Sequence, residues 1–225
     1  MARTSWEPGP PHPRLDAATV DVWLVGLDGA HDDRPLDARE RERAARFMRE
    51  QDGRRWSAAR ATLRRVLGAY LDAAPDGLRF AEGANGKPSL AGEGGDGLRF
   101  NLSHSADTAL IAVAHAREVG VDVELPRRAA DHVALARRVL TAAEADRIAA
   151  IEDPGERERA FLRVWVRWEA VLKCRGTGIG GAAEPLAAPD PWVCELDVPA
   201  PAAAALAVAD GPAAVRSWRW PPRNT

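Results

Sequence analysis

A chain of 225 residues, 46% of them apolar, is long enough to form one large domain or two small lobes around a real core. Its formal net charge of -2 makes no electrostatic case for nucleic acid or an anionic membrane surface as a partner, so any anionic ligand must be held by a local basic cluster. Cys174 and Cys194 stand in no metal-like spacing, the Pro-rich start MARTSWEPGPPHPR lacks the apolar stretch of a signal peptide, and no apolar run is long enough to span a bilayer; these features predict a cytoplasmic protein with an irregular segment over residues 1–15.

In chain order, residues 20–27 (VDVWLVGL) read as a buried strand. Residues 37–46 predict a highly charged helix. Residues 53–71 predict a longer one, with Trp56, Leu63, Val66, Leu67 and Tyr70 on its apolar side and a set of arginines, Arg55 among them, expected mostly on a solvated face. The pentapeptide DGLRF occurs at 76–80 and again at 96–100, flanking the turn signal Asn85-Gly86-Lys87-Pro88, which suggests two strands with an irregular connection.

The segment FNLSHS (100–105) precedes the strand TALIAVAH (108–115) and reads as a strand entry. Small polar side chains and free backbone N–H groups at Ser103, His104 and Ser105 could bind a phosphate, or form an ordinary Asn/Ser turn. A Ser–His nucleophile is disfavoured, because adjacent residues rarely meet side chain to side chain. In VGVDVEL (119–125) the two-residue period of a strand points Asp122 and Glu124 the same way and turns Val121 and Val123 into the core. Two carboxylates side by side require solvent or a cation, so this is either an exposed strand face or a pair of hard oxygen ligands for Mg2+.

Helices follow over 131–140 and from the capping box Thr141-Ala-Ala-Glu144, and residues 152–157 read as a turn leading into a long helix. In FLRVWVRWEAVLKCRGTG (161–178), Phe161, Trp165, Glu169 and Lys173 recur every four residues as one stripe, Val164, Trp168, Val171 and Leu172 form the stripe expected to face the core, and Gly176 and Gly178 stop the helix. An ion pair between Glu169 and Lys173 on the surface is one reading; a third metal ligand with an adjacent ammonium is the other. Of the 31 basic residues only Lys87 and Lys173 are lysines, and both lie in these motifs, where a compact point charge suits better than a guanidinium. Residues 193–198, 204–209 and 215–220 are expected to be three antiparallel strands. The resulting fold class is α+β, with two similar α/β lobes in a pseudo-duplicated arrangement, an N-terminal lobe over 16–118 and a C-terminal lobe over 119–225. Two lobes in one chain make a monomer the simpler expectation.

NGKP (85–88), FNLSHS (100–105), GVDVE (120–124) and FLRVWVRWEAVLKCRGTG (161–178) stand in the order and approximate spacing of 4′-phosphopantetheinyl transferases, and the chain resembles the Sfp type, with two lobes in one chain, over residues 40–180. The resemblance implies transfer of the phosphopantetheine arm of coenzyme A to a serine of an acyl or peptidyl carrier protein, with release of adenosine 3′,5′-bisphosphate. It further implies that Asp122, Glu124 and Glu169 hold Mg2+ against the pyrophosphate, that Lys173 sits near the bridging oxygen, and that Glu169 takes the serine proton. It places Ser103 and His104 at the 3′-phosphate, Gly86 and Lys87 beside the nucleotide, and Arg55 near its phosphates and adenine. Carrier docking is expected near residues 176–181 and on the preceding helix. One departure is Trp168, which stands where the family usually has Lys before the helical Glu. It leaves open a non-catalytic relative that binds coenzyme A or a carrier protein.

Overall fold

The computed structural model describes residues 5–83, 85–92, 97–126, 131–177 and 190–220. The elements are β1 (Glu7–Pro8), β2 (Thr19–Gly26), α1 (Ala38–Ala45), α2 (Glu50–Leu71), β3 (Arg79–Glu82), β4 (Pro88–Ala91), β5 (Leu98–Ser105), β6 (Thr108–His115), β7 (Val119–Glu124), α3 (His132–Val139), α4 (Ala142–Ala149), α5 (Pro154–Arg175), β8 (Trp192–Glu195), β9 (Ala203–Val208) and β10 (Ala214–Arg219). They form a five-stranded sheet in the order β1-β10-β2-β6-β5, a three-stranded sheet β7-β9-β8 and the hairpin β3-β4, an α+β architecture.

Strand β2 is largely apolar, Thr19 and Asp21 apart, because both its faces are covered. Val20, Val22 and Leu24 pack between the two sheets with Val119, Val121, Val123 and Leu206, while Trp23 and Val25 face Leu63, Val66 and Leu67 of α2. The other face of the three-stranded sheet carries Gly120, Ala205 and Ala207, with Gly120 opposite Ala207 in the β7–β9 register. This flat floor receives the Val166–Ala170–Cys174 stripe of α5. A Cβ at Gly120 would lie 2.1 Å from Ala170 O and 2.2 Å from Cys174 N, so the helix backbone rests directly on the strand and only glycine fits.

Several expectations change. The last strand does not join the other two C-terminal strands: β10 runs parallel to β2 in the first sheet, Val215 opposite Val20. Arg216 reaches the fully buried Asp21 at 2.7 Å, and Trp218 and Trp220 close on Trp23 with ring centroids 6.3 and 5.9 Å apart. Alternating polarity marks a strand; it does not choose the neighbour. FNLSHS is likewise not a strand entry but the body of β5, and the turn falls after it, where Ala106 has φ 48.

The arginines of α2, Arg54 apart, are not a solvated face either. Arg64 is fully buried on Glu40 (2.7 Å), Asp37 (2.9 Å) and the carbonyls of Pro75 and Leu78, and Arg60 shares Glu40. The short, charged helix α1 has little apolar surface to bury, and this ion cluster attaches it to α2. In α5, finally, the core stripe is Phe161, Leu162, Val166, Ala170 and Cys174, with Leu172 also buried. Trp168 lies two residues, about 200° round the helix, from Ala170 and so faces away from the sheet. It is half-buried, its ring 5.3 Å from that of Trp165, in a groove of about 620 Å³ with Val139, Leu140, Val164 and Val171.

Helix α5 starts earlier than expected because Pro154 opens it and the Asp153 side chain accepts from Glu156 N at 2.7 Å. At its other end Gly176 adopts φ 69, a left-handed cap. Gly178, and all of the expected docking stretch except Gly176 and Thr177, lie outside the described residues. The Asn85–Pro88 turn grips this end of the helix. Asn85 Nδ2 donates to Gly176 O (2.8 Å), and Lys87 Nζ donates to Cys174 O (3.1 Å), Val119 O (3.1 Å) and Glu118 Oε2 (2.6 Å). Lys87→Met should therefore lower the stability of the ligand-free protein by about 2 kcal/mol, seen as a drop of about 6 °C in a thermal melt; an unchanged melt would leave Lys87 with no such structural part.

Candidate active site

The site lies where β5, β7 and α5 meet. Gly120, Asp122 and Glu124 share the face of β7 turned towards α5, since Val119, Val121 and Val123 fill the core between the sheets. Four-residue spacing on α5 carries Glu169 and Lys173 one turn apart beside that face. Lys173 Nζ donates to Asp122 Oδ1 (2.5 Å) and to Ser103 Oγ (2.9 Å), and Ser103 Oγ donates to the same Asp122 oxygen (2.7 Å). Ser105 Oγ donates to Glu124 Oε2 at 2.8 Å.

Asp122 is 3% exposed, and its second oxygen, Oδ2, is buried without a hydrogen-bond partner. Burial pushes its carboxyl above the ordinary range, while the Lys173 ammonium and the Ser103 hydroxyl pull it back. Glu169 is raised as well, first by desolvation and then by the negative charges of Asp122 and Glu124, with Lys173 opposing. That mutual repulsion means the three acids face one region. They are not drawn together: among the described residues no three His, Cys, Asp or Glu side chains stand close enough to hold a metal ion, and the direct partner of Asp122 is Lys173.

The donor set nevertheless fits a hard divalent cation. It offers carboxylate oxygens only, with one buried oxygen left unsatisfied, and Mg2+ needs few protein ligands because it retains water. The raised carboxyls also fix a sign. Without a cation the folded chain binds more protons than the unfolded chain between the ordinary values of 3.8 and 4.5 and the raised ones, so stability falls as pH rises through that window. Urea titrations in EDTA should show this decline from about pH 4 upward, and a divalent cation should reduce it.

The other expected residues are placed as follows. The imidazole of His104 is exposed, and its pKa is lowered by desolvation and then by the Lys173 charge, with Asp52 of α2 opposing. Ser103 is buried, with its hydroxyl taken by Asp122, Lys173 and, at 3.4 Å, the N–H of Val123. Arg55 makes a two-point pair with Asp28, both contacts 2.7 Å, outside the Asp122–Lys173 group. Gly86 takes φ 78 in its turn with open space where a Cβ would stand. Cys174 and Cys194 are free thiols, both pushed up to about 11 by burial, so neither is a thiolate nucleophile at neutral pH.

Sequence reasoning passed over Asn101 and Ser105 as structural partners and over Gly120 as the contact point of α5. The signal was present: N-x-S-x-S and G-x-D-x-E each alternate, which assigns one face of a strand to each triplet. What was missing was that the two faces meet.

In this α+β chain the strand carboxylate of Asp122 pairs with the helical Lys173, and Glu124 and Glu169 face the same region. Comparison with known proteins gives the family. Residues 118–219 match the 4′-phosphopantetheinyl transferase superfamily, and residues 32–116 match the family described as 4′-phosphopantetheinyl transferase, N-terminal. The chain is 35% identical over 190 residues to the 4′-phosphopantetheinyl transferase HetI of Nostoc sp., covering 82% of this chain and 80% of that one. It is 34% identical to the 4′-phosphopantetheinyl transferase AcpT of Escherichia coli O157:H7, over 63% of this chain and 66% of the relative. With the human L-aminoadipate-semialdehyde dehydrogenase-phosphopantetheinyl transferase it shares 27% identity, over 70% of this chain and 52% of the relative. The chain belongs to the 4′-phosphopantetheinyl transferases and is an enzyme of that class.

Proposed function

We propose that this enzyme moves the 4′-phosphopantetheine arm of coenzyme A onto a serine hydroxyl of an acyl or peptidyl carrier protein, with Mg2+ bound, and releases adenosine 3′,5′-bisphosphate. The supporting observation is the buried Asp122 carboxylate, held by Lys173 and Ser103 with one oxygen unpaired, beside Glu124 and a half-buried Glu169. Bound Mg2+ would supply charge neutralisation at the pyrophosphate, with Asp122, Glu124 and Glu169 as the residues that hold it.

The rest is the work of the chain's own groups. A Glu169 oxygen accepts the proton of the carrier serine, directly or through a water. The serine oxygen bonds to the phosphorus that carries the pantetheine arm. The bond from that phosphorus to the bridging oxygen breaks, and its electron pair leaves on the bisphosphate. The Lys173 ammonium lies at that oxygen and offsets its charge. Such a displacement needs alignment and charge neutralisation rather than a protein nucleophile. Ser103 and His104, the latter the exposed member of FNLSHS, are assigned to the 3′-phosphate. Arg55 is assigned to the phosphates and adenine, and Gly86 and the carbon chain of Lys87 border the nucleotide. The carrier is assigned to the α5 side, where Arg163 and Arg167 are exposed next to the Trp168 groove. A monomer working in a reducing cytosol, with the single-chain Sfp arrangement, completes the reading; no helix among the described residues is long and apolar enough to cross a membrane.

The test is incubation with coenzyme A, Mg2+ and a panel of apo carrier domains, read by intact mass. The expected result is one phosphopantetheine added per carrier, absent without coenzyme A and suppressed by EDTA. Tight binding of coenzyme A with no mass gain on any carrier would overturn the reading in favour of a non-catalytic relative.

A further inference from the structure

Strands β5 and β7 lie side by side at the edges of different sheets, and no main-chain ladder joins them. Three side chains of β5 take the place of that ladder. Asn101 Oδ1 accepts from Val121 N (2.9 Å), Ser103 Oγ from Val123 N (3.4 Å) and Ser105 Oγ from Leu125 N (3.2 Å). Both members of each rung advance by two residues, so the seam follows the pleat of both strands. The buried N–H groups of Val121 and Val123, and the partly buried one of Leu125 just past β7, are thereby satisfied at a junction where they would otherwise be costly.

Two of the three rungs do a second job. The hydroxyl that accepts from the backbone turns its own proton to the carboxylate one residue earlier: Ser103 to Asp122 Oδ1 at 2.7 Å, and Ser105 to Glu124 Oε2 at 2.8 Å. Each serine therefore ties a carboxylate to the peptide that follows it and holds its rotamer. Ser103 and Ser105 are both buried, at 6% and 5% exposure, so water has little access to their hydroxyls. With Oδ1 of Asp122 occupied by Ser103 and Lys173, it is Oδ2 that stays unpaired.

We propose that Ser105 is a positioning residue for a divalent cation, acting through Glu124 as Ser103 acts through Asp122, and that the β5–β7 seam presets the two strand carboxylates before the cation arrives. The inference rests on the metal-dependent reading above. Ser105 is the residue to test, because Ser103 also touches Lys173.

Mn2+ serves as the probe. Its free signal is followed by electron paramagnetic resonance as protein and coenzyme A are added, for the unaltered chain, Ser105→Ala and Ser105→Cys. Hydrogen bonds behind metal ligands are worth about 10- to 100-fold in affinity. Ser105→Ala should weaken Mn2+ binding by about that factor, with Ser105→Cys between the two because S–H is a weak donor. Coenzyme A affinity in EDTA should stay level, which separates positioning from a general loss of structure. Activity of Ser105→Ala should return as Mg2+ is raised, an increase in the KM for the ion with kcat retained. Should Ser105→Ala fail to fold, Ser105→Cys is held to the same criterion. Equal Mn2+ affinity in the variant and the unaltered chain overturns the inference and leaves the metal reading standing. No Mn2+ uptake by the unaltered chain overturns both.

Discussion

Asp122→Asn should reduce coenzyme A-dependent loading of a carrier serine by about a thousandfold, the scale on which a group that stabilises transition-state charge is lost. The substitution keeps the shape and a carbonyl oxygen for Ser103 and Lys173, and removes the charge that a cation and the Lys173 ammonium both require. Stability should move little. Burial already disfavours this carboxylate, so a neutral amide relieves a desolvation cost while weakening the bond to a Lys173 side chain that is 28% exposed. Loading rates by intact mass alongside a thermal melt check both halves. Full activity in Asp122→Asn would remove the basis of the proposed chemistry.

Gly120→Ala should act by the opposite route, through structure. The added methyl would stand 2.1 Å from Ala170 O and 2.2 Å from Cys174 N, backbone atoms of α5 that cannot turn aside as a side chain can. The helix must lift from β7, at a cost of about 3 kcal/mol or about 10 °C in melting temperature for a chain of this size. Ala170 and Cys174 bracket Lys173 and follow Glu169, so the shift moves both groups away from Asp122. Loading should fall about 100-fold even at temperatures where the variant is folded, because a displacement of about 1 Å at a reacting centre is enough for that. A variant that melts like the parent would mean that α5 does not rest on Gly120.

Much of the site could be read from sequence because its spacings are those of single elements. The two-residue period placed Asp122 and Glu124 on one strand face, and the four-residue period placed Glu169 and Lys173 on one helix stripe. The cap at Thr141 is equally local and legible from its box, whereas Asp153, which caps α5 in the same way, falls in a stretch that reads as a turn. Errors arose where a residue's surroundings come from far along the chain. Trp168 was placed in the core because its own helix is apolar on several sides; which side meets the sheet depends on the smooth floor of Gly120, Ala205 and Ala207. The arginines of α2 looked solvated because Glu40 and Asp37 approach from another helix.

The amino-acid order by itself therefore determined most of the elements, the face on which the acids and the lysine stand, and the family to which those motifs point. The tertiary structure alone decided that β10 returns to lie beside β2, that Asn101, Ser103 and Ser105 stand in for a missing strand ladder, and that Lys173 closes on Asp122 rather than on Glu169. The physical reason is range. Dihedral preference and side-chain period act over a few neighbouring residues and leave a visible pattern. Partner choice between strands, and the destination of each buried hydrogen bond, is settled by packing among segments that are remote in sequence, where many pairings share the same local pattern and one fills the space.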